Sequence, residues 1–78
     1  MLYDTIVAKI CDQFGLEPDQ IHENTTFIED LGVDSLDVVE LVIEMENEYG
    51  LPEVPEEDLK KLVCVRDLVD YVSAHATL

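Results

Sequence analysis

The sequence predicts an all-α fold, a bundle of three longer helices and one short helix with a long first loop. Three segments carry apolar residues at the spacing of an amphipathic helix. Few β-branched residues alternate with polar ones, so strands are not indicated. The chain has 78 residues, 47% of them apolar, which is enough for one small core and too little for two. We therefore expect residues 1–78 to form a single domain.

The first helix is predicted from about Tyr3 to Phe14, because apolar residues recur there every four positions and Gly15 supplies a stop. The next segment, residues 16–34, is a long connection in which four apolar side chains are expected to be buried: Ile21, Phe27, Ile28 and Leu31. A connection of this length is unusual in so small a domain, and such loops are often functional.

Three further helices are predicted after this loop. The second runs from Ser35 to about Tyr49, with Asp34 as its N-cap and Gly50 just past its end. A short third helix spans roughly Glu56 to Lys61, and a fourth runs from Val65 to about Ala76.

The second helix has an unusual distribution of side chains around its axis. At about 100° per residue they fall into three groups. One apolar arc is wide enough to face a core: Val38, Leu41, Val42, Met45 and Tyr49. An acidic stripe lies beside it: Asp37, Glu40, Glu44 and Glu48. A second apolar group adjoins the stripe: Leu36, Val39 and Ile43.

One helix cannot easily bury both apolar groups in a domain this small, so we expect the second group to be at least partly exposed. An apolar patch rimmed with carboxylates indicates a protein-docking surface. The alternative is a central helix that buries both apolar groups and leaves the acids as a solvated face.

The net charge of −15, from 19 acidic and 4 basic residues, narrows the classes of partner. Such a charge repels nucleic acids and anionic membranes, and it favours partners with basic patches or bound cations. No apolar run approaches 18 residues and the N-terminus does not look like a signal peptide, so a cytoplasmic protein is expected. The two cysteines and two histidines lack metal-ligand spacing, which predicts reduced thiols and no metal site.

A serine stands where the long loop meets the second helix. Residues 29–41 read Glu-Asp-Leu-Gly-Val-Asp-Ser-Leu-Asp-Val-Val-Glu-Leu, with Ser35 at the centre. This segment resembles the modification motif of acyl carrier proteins: an acidic residue, Leu-Gly, a variable residue, Asp-Ser-Leu, and a Val-Glu-Leu step. Other family landmarks are Phe27 with Ile28, Val54 with Pro55, and Asp70, Tyr71 and Val72. The resemblance covers nearly the whole chain and implies the acyl-carrier type of four-helix bundle.

The resemblance implies that Ser35, flanked by Asp34 and Leu36, carries 4′-phosphopantetheine. A separate phosphopantetheinyl transferase would attach it from coenzyme A with Mg²⁺, and its thiol would hold an acyl chain as a thioester. The chain itself would not be an enzyme. A phosphate at a helix N-terminus meets free backbone N–H groups. Asp34 and Asp37 would repel it, and the Mg²⁺ or basic groups of a partner enzyme are expected to offset that repulsion.

The resemblance also implies two further sets of site residues. The surface read by partner enzymes would consist of Leu36, Asp37, Val39, Glu40, Ile43 and Glu44. A pocket for the acyl chain would be lined by Phe27, Ile28, Met45, Leu59, Leu62, Leu68 and Tyr71. The expected partners of this monomer are acyl transferases, ketoacyl synthases, reductases and dehydratases of fatty acid or polyketide synthesis.

Two other functions stay open on the sequence alone. A related carrier could hold polyketide, D-alanyl or aminoacyl cargo, although the extended Leu-Gly-Val-Asp-Ser-Leu match favours an acyl chain over an aminoacyl group. An acidic helical domain with a structural or regulatory role would bind basic partners and use Ser35 only as part of a helix cap. A catalytic serine is not favoured, because the G-x-S-x-G elbow is absent.

Overall fold

The structure, a computed structural model, describes residues 2–76. In this part of the chain four α-helices follow one another: α1 Leu2–Phe14, α2 Ser35–Tyr49, α3 Glu56–Leu59 and α4 Val65–His75. A turn of 3₁₀ helix at Pro18–Gln20 lies in the loop between α1 and α2. The prediction of an all-α bundle with three longer helices, one short helix and a long first loop is confirmed.

The helix ends follow from local chemistry. Helix α2 begins after Asp34, which has extended backbone, and ends at Gly50, whose φ of 66° favours glycine. Helix α3 ends two residues before the predicted Lys61. There the N–H of Lys61 donates to the carbonyl of Asp58, an i to i+3 bond that tightens the chain into a turn.

The core is formed by apolar side chains from the three longer helices and from the connections between them. Helix α1 contributes Ile6, Val7 and Ile10. The arc of α2 predicted to face the core does so through Val38, Leu41, Val42 and Met45, while Tyr49 is half-buried. Helix α4 contributes Val65, Leu68 and Val72. The connections add Ile21, Phe27, Leu51, Val54 and Leu62.

The long first loop is tied to the start of α4. Thr26 and Cys64 form an antiparallel bridge, and the N–H of Val65 donates to the carbonyl of Thr25 at 2.9 Å. The N–H of Phe27 donates to the carbonyl of Val63 at 3.0 Å. These bonds hold the loop against the bundle and fix the position from which α2 starts.

One prediction for this loop is wrong. Ile21 and Phe27 are buried and Leu31 is partly buried, but Ile28 is 58% exposed. Residues 27–30 form a turn in which the Phe27 side chain is buried in the core, and the side chain of the next residue points away from it. Ile28 therefore lies at the surface.

Within residues 2–76, no helix has both the length and the apolar character that a membrane crossing requires.

Candidate functional site

Ser35 is the first residue of α2, and its side chain is exposed to solvent. The hydroxyl donates a hydrogen bond to Oδ1 of Asp34 at 3.3 Å. The oxygen of Ser35 therefore keeps its lone pairs while the hydroxyl hydrogen faces a carboxylate. A reactant brought by another protein can reach this oxygen.

The backbone before Ser35 is held by a closed turn and a reciprocal helix cap. The N–H of Val33 donates to the carbonyl of Phe27 at 3.1 Å, and Gly32 between them has a φ of 69°. Open space surrounds a Cβ built at Gly32, so the backbone conformation alone requires glycine there. The N–H of Asp34 then donates to Oδ2 of Asp37 at 3.1 Å, one half of a capping box. Ser35 thus sits at a well-defined helix start.

The electrostatics around Ser35 are mixed. The first N–H groups of α2 and the positive end of its dipole favour a phosphate at this point. The carboxylates of Asp34 and Asp37 lie beside the serine and would oppose a phosphate there. The start of α2 thus favours a phosphate on Ser35, whereas the two neighbouring carboxylates disfavour it.

A cavity of about 560 Å³ opens next to Ser35. Its walls come from the first loop, from the first turns of α2, and from α3 with the residues that follow it. They are Thr26, Phe27, Ile28, Glu29, Ser35, Leu36, Val38, Val39, Glu56, Leu59, Lys60, Leu62 and Val63. The cavity is mainly apolar and lies within reach of a group attached to the serine.

Four of the seven residues predicted to line an acyl pocket lie on this cavity: Phe27, Ile28, Leu59 and Leu62. The other three do not. Met45 and Leu68 are buried in the core, and Tyr71 lies on α4 beside a separate groove. Val38 and Val63 also line the cavity, although they were not among the predicted pocket residues. Val38 lies one helical turn after Ser35, and this spacing could have indicated that it lines the cavity. Val63 is placed there by a long-range bond to Phe27, which the sequence pattern does not indicate.

The residues predicted for docking lie on one side of α2. Leu36 is 69% exposed and Ile43 is 48% exposed, while Val39 is partly buried and lines the cavity. Glu40 and Glu44 are exposed and Asp37 is half-buried. Apolar and acidic side chains therefore share a surface that borders the cavity mouth.

The acidic stripe of α2 is paired with a basic side chain at its C-terminal end. Lys9 on α1 lies 2.7 Å from Oε2 of Glu48, and this hydrogen bond raises the pKa of Lys9. The uncompensated part of the stripe is therefore its N-terminal part, next to Ser35.

The cysteines and acidic side chains of residues 2–76 do not form a metal-binding group of three or more ligands. Cys11 and Cys64 are half-buried free thiols, and burial, with smaller effects from Glu17 and Asp19, raises the pKa of Cys11.

The fold and the site define a class of protein: a small helical domain that presents an exposed serine at a helix N-terminus beside an apolar cavity. Consistent with this, the family model described as the phosphopantetheine attachment site matches residues 4–72. The acyl carrier protein of Clostridium acetobutylicum is 40% identical over 75 residues, which cover 96% of each chain. That of Bdellovibrio bacteriovorus is 49% identical over 63 residues, 81% of this chain and 80% of the relative. That of Zymomonas mobilis is 42% identical over 66 residues, 85% and 83% of the two chains. The chain belongs to the acyl carrier protein family.

The residues present fit the prosthetic group of this family. The exposed Ser35 oxygen can be esterified, the start of α2 favours a phosphate, and the apolar cavity begins beside it. When attached, 4′-phosphopantetheine supplies a thiol at the end of a flexible arm. This chain's own residues supply the anchor, the cavity and the surrounding surface.

Proposed function

We propose that the chain carries acyl intermediates of fatty acid synthesis as thioesters on 4′-phosphopantetheine attached to Ser35. The observation that supports this best is an exposed serine at a helix N-terminus, with a mainly apolar cavity of about 560 Å³ opening next to it. The serine provides the attachment point, and the cavity can shelter an aliphatic chain from water. In this role the chain is a substrate of other enzymes and catalyses no reaction itself.

Attachment requires a phosphopantetheinyl transferase as the first partner. The Ser35 oxygen forms a bond to the phosphorus of the phosphopantetheine, and the bond from that phosphorus to the adenosine bisphosphate part of coenzyme A breaks. The hydroxyl proton leaves to a base of the transferase. Asp34 and Asp37 flank the serine, so we propose that they face the Mg²⁺ or basic side chains of the transferase.

The loaded carrier would then visit synthases, reductases, dehydratases and acyl transferases. The proposed contact surface is the set predicted from the sequence: Leu36, Asp37, Val39, Glu40, Ile43 and Glu44. The carboxylates would steer encounter with basic patches, and the exposed apolar side chains would add contact area. Such contacts suit transient binding, since one carrier must release each enzyme before it meets the next.

The mainly apolar cavity also bears on the choice of cargo. An aliphatic acyl chain gains about 0.8 kcal/mol for each CH₂ group removed from water. A D-alanyl or aminoacyl group would bring a charged amine that such a cavity does not compensate. The geometry therefore supports fatty acyl cargo, and polyketide cargo is the closest alternative.

The test is the intact mass of the protein after incubation with coenzyme A, Mg²⁺ and a broad-specificity phosphopantetheinyl transferase. Wild-type protein should gain one phosphopantetheinyl group, and Ser35→Ala should gain none. Ser73→Ala removes an exposed serine from α4 and is the matched control, which should gain the group like the wild type. Lack of any mass gain in folded wild-type protein would leave an acidic binding domain and overturn the proposal.

A further inference from the structure

Helix α3 separates two hollows in the molecule. On one side Glu56, Leu59 and Lys60 line the cavity beside Ser35. On the other side Asp58 and Tyr71 border a groove of about 300 Å³ between α3 and α4. The helix therefore has space on both sides, and its position determines the width of the cavity.

The part of this cavity wall that α3 forms is short and contains no buried side chain. Helix α3 has four residues and buries none of them, whereas Phe27 and Val38 on the facing walls are 1% and 7% exposed. A helix of one turn is not stable without outside contacts. A guest chain that needs more room than the cavity offers will therefore displace α3 before it displaces the first loop or α2.

The segment around α3 is fastened at both ends. Before the helix, the N–H of Val54 donates to Oε2 of Glu46 at 2.9 Å. After it, the carbonyl of Val63 accepts the bond from Phe27. These bonds attach the ends of the segment to α2 and to the first loop, and they leave its middle to be held by other contacts.

The middle of the segment is held by the packing of Leu59 against the core and by a hydrogen bond from Tyr71. The Oη of Tyr71 donates a hydrogen bond to Oδ2 of Asp58 at 3.2 Å. This side-chain bond joins α4 to α3. The Tyr71 ring also lies on His75, with ring centroids 4.2 Å apart, which supports its orientation. Burial and the hydrogen bond to Asp58 raise the pKa of Tyr71, so the phenol stays a donor at neutral pH. At 3.2 Å this bond is already long for an O–H···O contact, so a displacement of α3 by a few tenths of an ångström would break it.

We propose that the Tyr71–Asp58 hydrogen bond is a latch that holds α3 against the cavity and thereby limits the length of acyl chain the cavity accepts. The proposal rests on the proposed function and adds a determinant of chain length to it. Tyr71 acts through the position of α3 and touches neither Ser35 nor the cavity.

The test compares proteins loaded with straight acyl chains of increasing length. Wild type and Tyr71→Phe are loaded by the transferase from butyryl-, octanoyl-, dodecanoyl- and hexadecanoyl-coenzyme A, and the melting temperature of each is compared with that of the unacylated holo form. In the wild type the gain in melting temperature should rise with chain length up to the limit of the cavity and then fall. In Tyr71→Phe the maximum should move to the next longer chain of the series.

Four further variants separate the latch from a general loss of stability. Tyr3→Phe removes a tyrosine hydroxyl from α1 and should keep the wild-type length profile. Asp58→Asn keeps an oxygen that can accept from Tyr71 and should also keep it. Asp58→Ala should shift the maximum as Tyr71→Phe does, and the double variant should shift it no further. If Tyr71→Phe does not fold, the two Asp58 variants carry the same comparison.

Hydrogen exchange supplies an independent readout. The N–H of Lys60 donates to the carbonyl of Glu56 within the α3 turn, and its exchange should be faster in Tyr71→Phe than in Tyr3→Phe. An unchanged length profile would overturn the latch whatever the exchange of Lys60, while loading at Ser35 would still support the proposed function. Failure of wild-type protein to be loaded would overturn both.

Discussion

At the scale of single residues, Tyr49 is placed where its hydroxyl is buried and has no hydrogen-bond partner within residues 2–76. Burial, with a smaller effect of Glu48, raises the pKa of this phenol. A buried polar atom that forms no hydrogen bond costs free energy on folding. The ring of Tyr49 packs against the core and stabilises the fold, whereas its buried oxygen destabilises it.

Tyr49→Phe should therefore raise the free energy of unfolding by about 1 kcal/mol, since it removes the uncompensated oxygen and keeps the ring. The measurement is denaturant unfolding, where the midpoint should rise with an unchanged slope. Tyr3→Phe, made in the same helix bundle at a half-buried position, should change the midpoint little. A lower midpoint for Tyr49→Phe would show that the hydroxyl does find a partner in solution.

Single residues also show where sequence reasoning reaches its limit. Ser35, with Asp34 and Gly32 before it, could be placed from the sequence because local turn and cap chemistry determines their positions. Ile28 could not, because its exposure depends on how the turn at residues 27–30 lies against the core.

At the scale of elements, the bounds of α2 followed from the sequence because its cap and its glycine stop are local signals. The exposure of Leu36 and Ile43 followed as well, since the helical period alone separates them from the core arc. The lining of the cavity was only partly predictable. Which side α3 turns toward the cavity depends on long-range bonds to α2, α4 and the first loop, which periodicity does not encode.

The acidic side of α2 leads to a prediction at the same scale. Glu40→Lys should slow acyl transfer from synthase partners several-fold at low salt, because it reverses a charge that attracts basic patches. The difference should shrink as salt is added. Transfer rates at several ionic strengths are the measurement. Asp12→Lys makes the same charge change on the exposed side of α1 and should have little effect. Equal rates for the wild type and both variants at all salt concentrations would contradict a docking role for Glu40.

At the scale of the whole molecule, the charge of −15 is confined to a body of 28 × 26 × 18 Å. Within residues 2–76 the ion pairs involve two basic side chains, Lys9 and Arg66. At about 0.01 M salt the Debye length of about 30 Å exceeds the size of the molecule, so the carboxylates repel one another across it. At about 0.15 M salt it falls to about 8 Å, and only neighbouring charges still interact.

The melting temperature should therefore rise when salt is increased over this range, because screening weakens self-repulsion more in the folded state than in the expanded unfolded chain. A thermal scan at each salt concentration measures this. Asp12→Lys lowers the net negative charge and should be stabilised mainly at the low-salt end, which makes it the internal control. A melting temperature that does not change with salt would show that charge repulsion contributes little to the stability of the folded state.

The bridge between Thr26 and Cys64 has a consequence for the order of events during synthesis. The turn that presents Ser35 is held by residues made long after the serine itself, including Val63 and Val65. When Ser35 has left the ribosome but these residues have not, the serine is exposed in a chain that lacks its supporting contacts. The native presentation of the serine therefore arises late in translation, after the residues that begin α4 have been made.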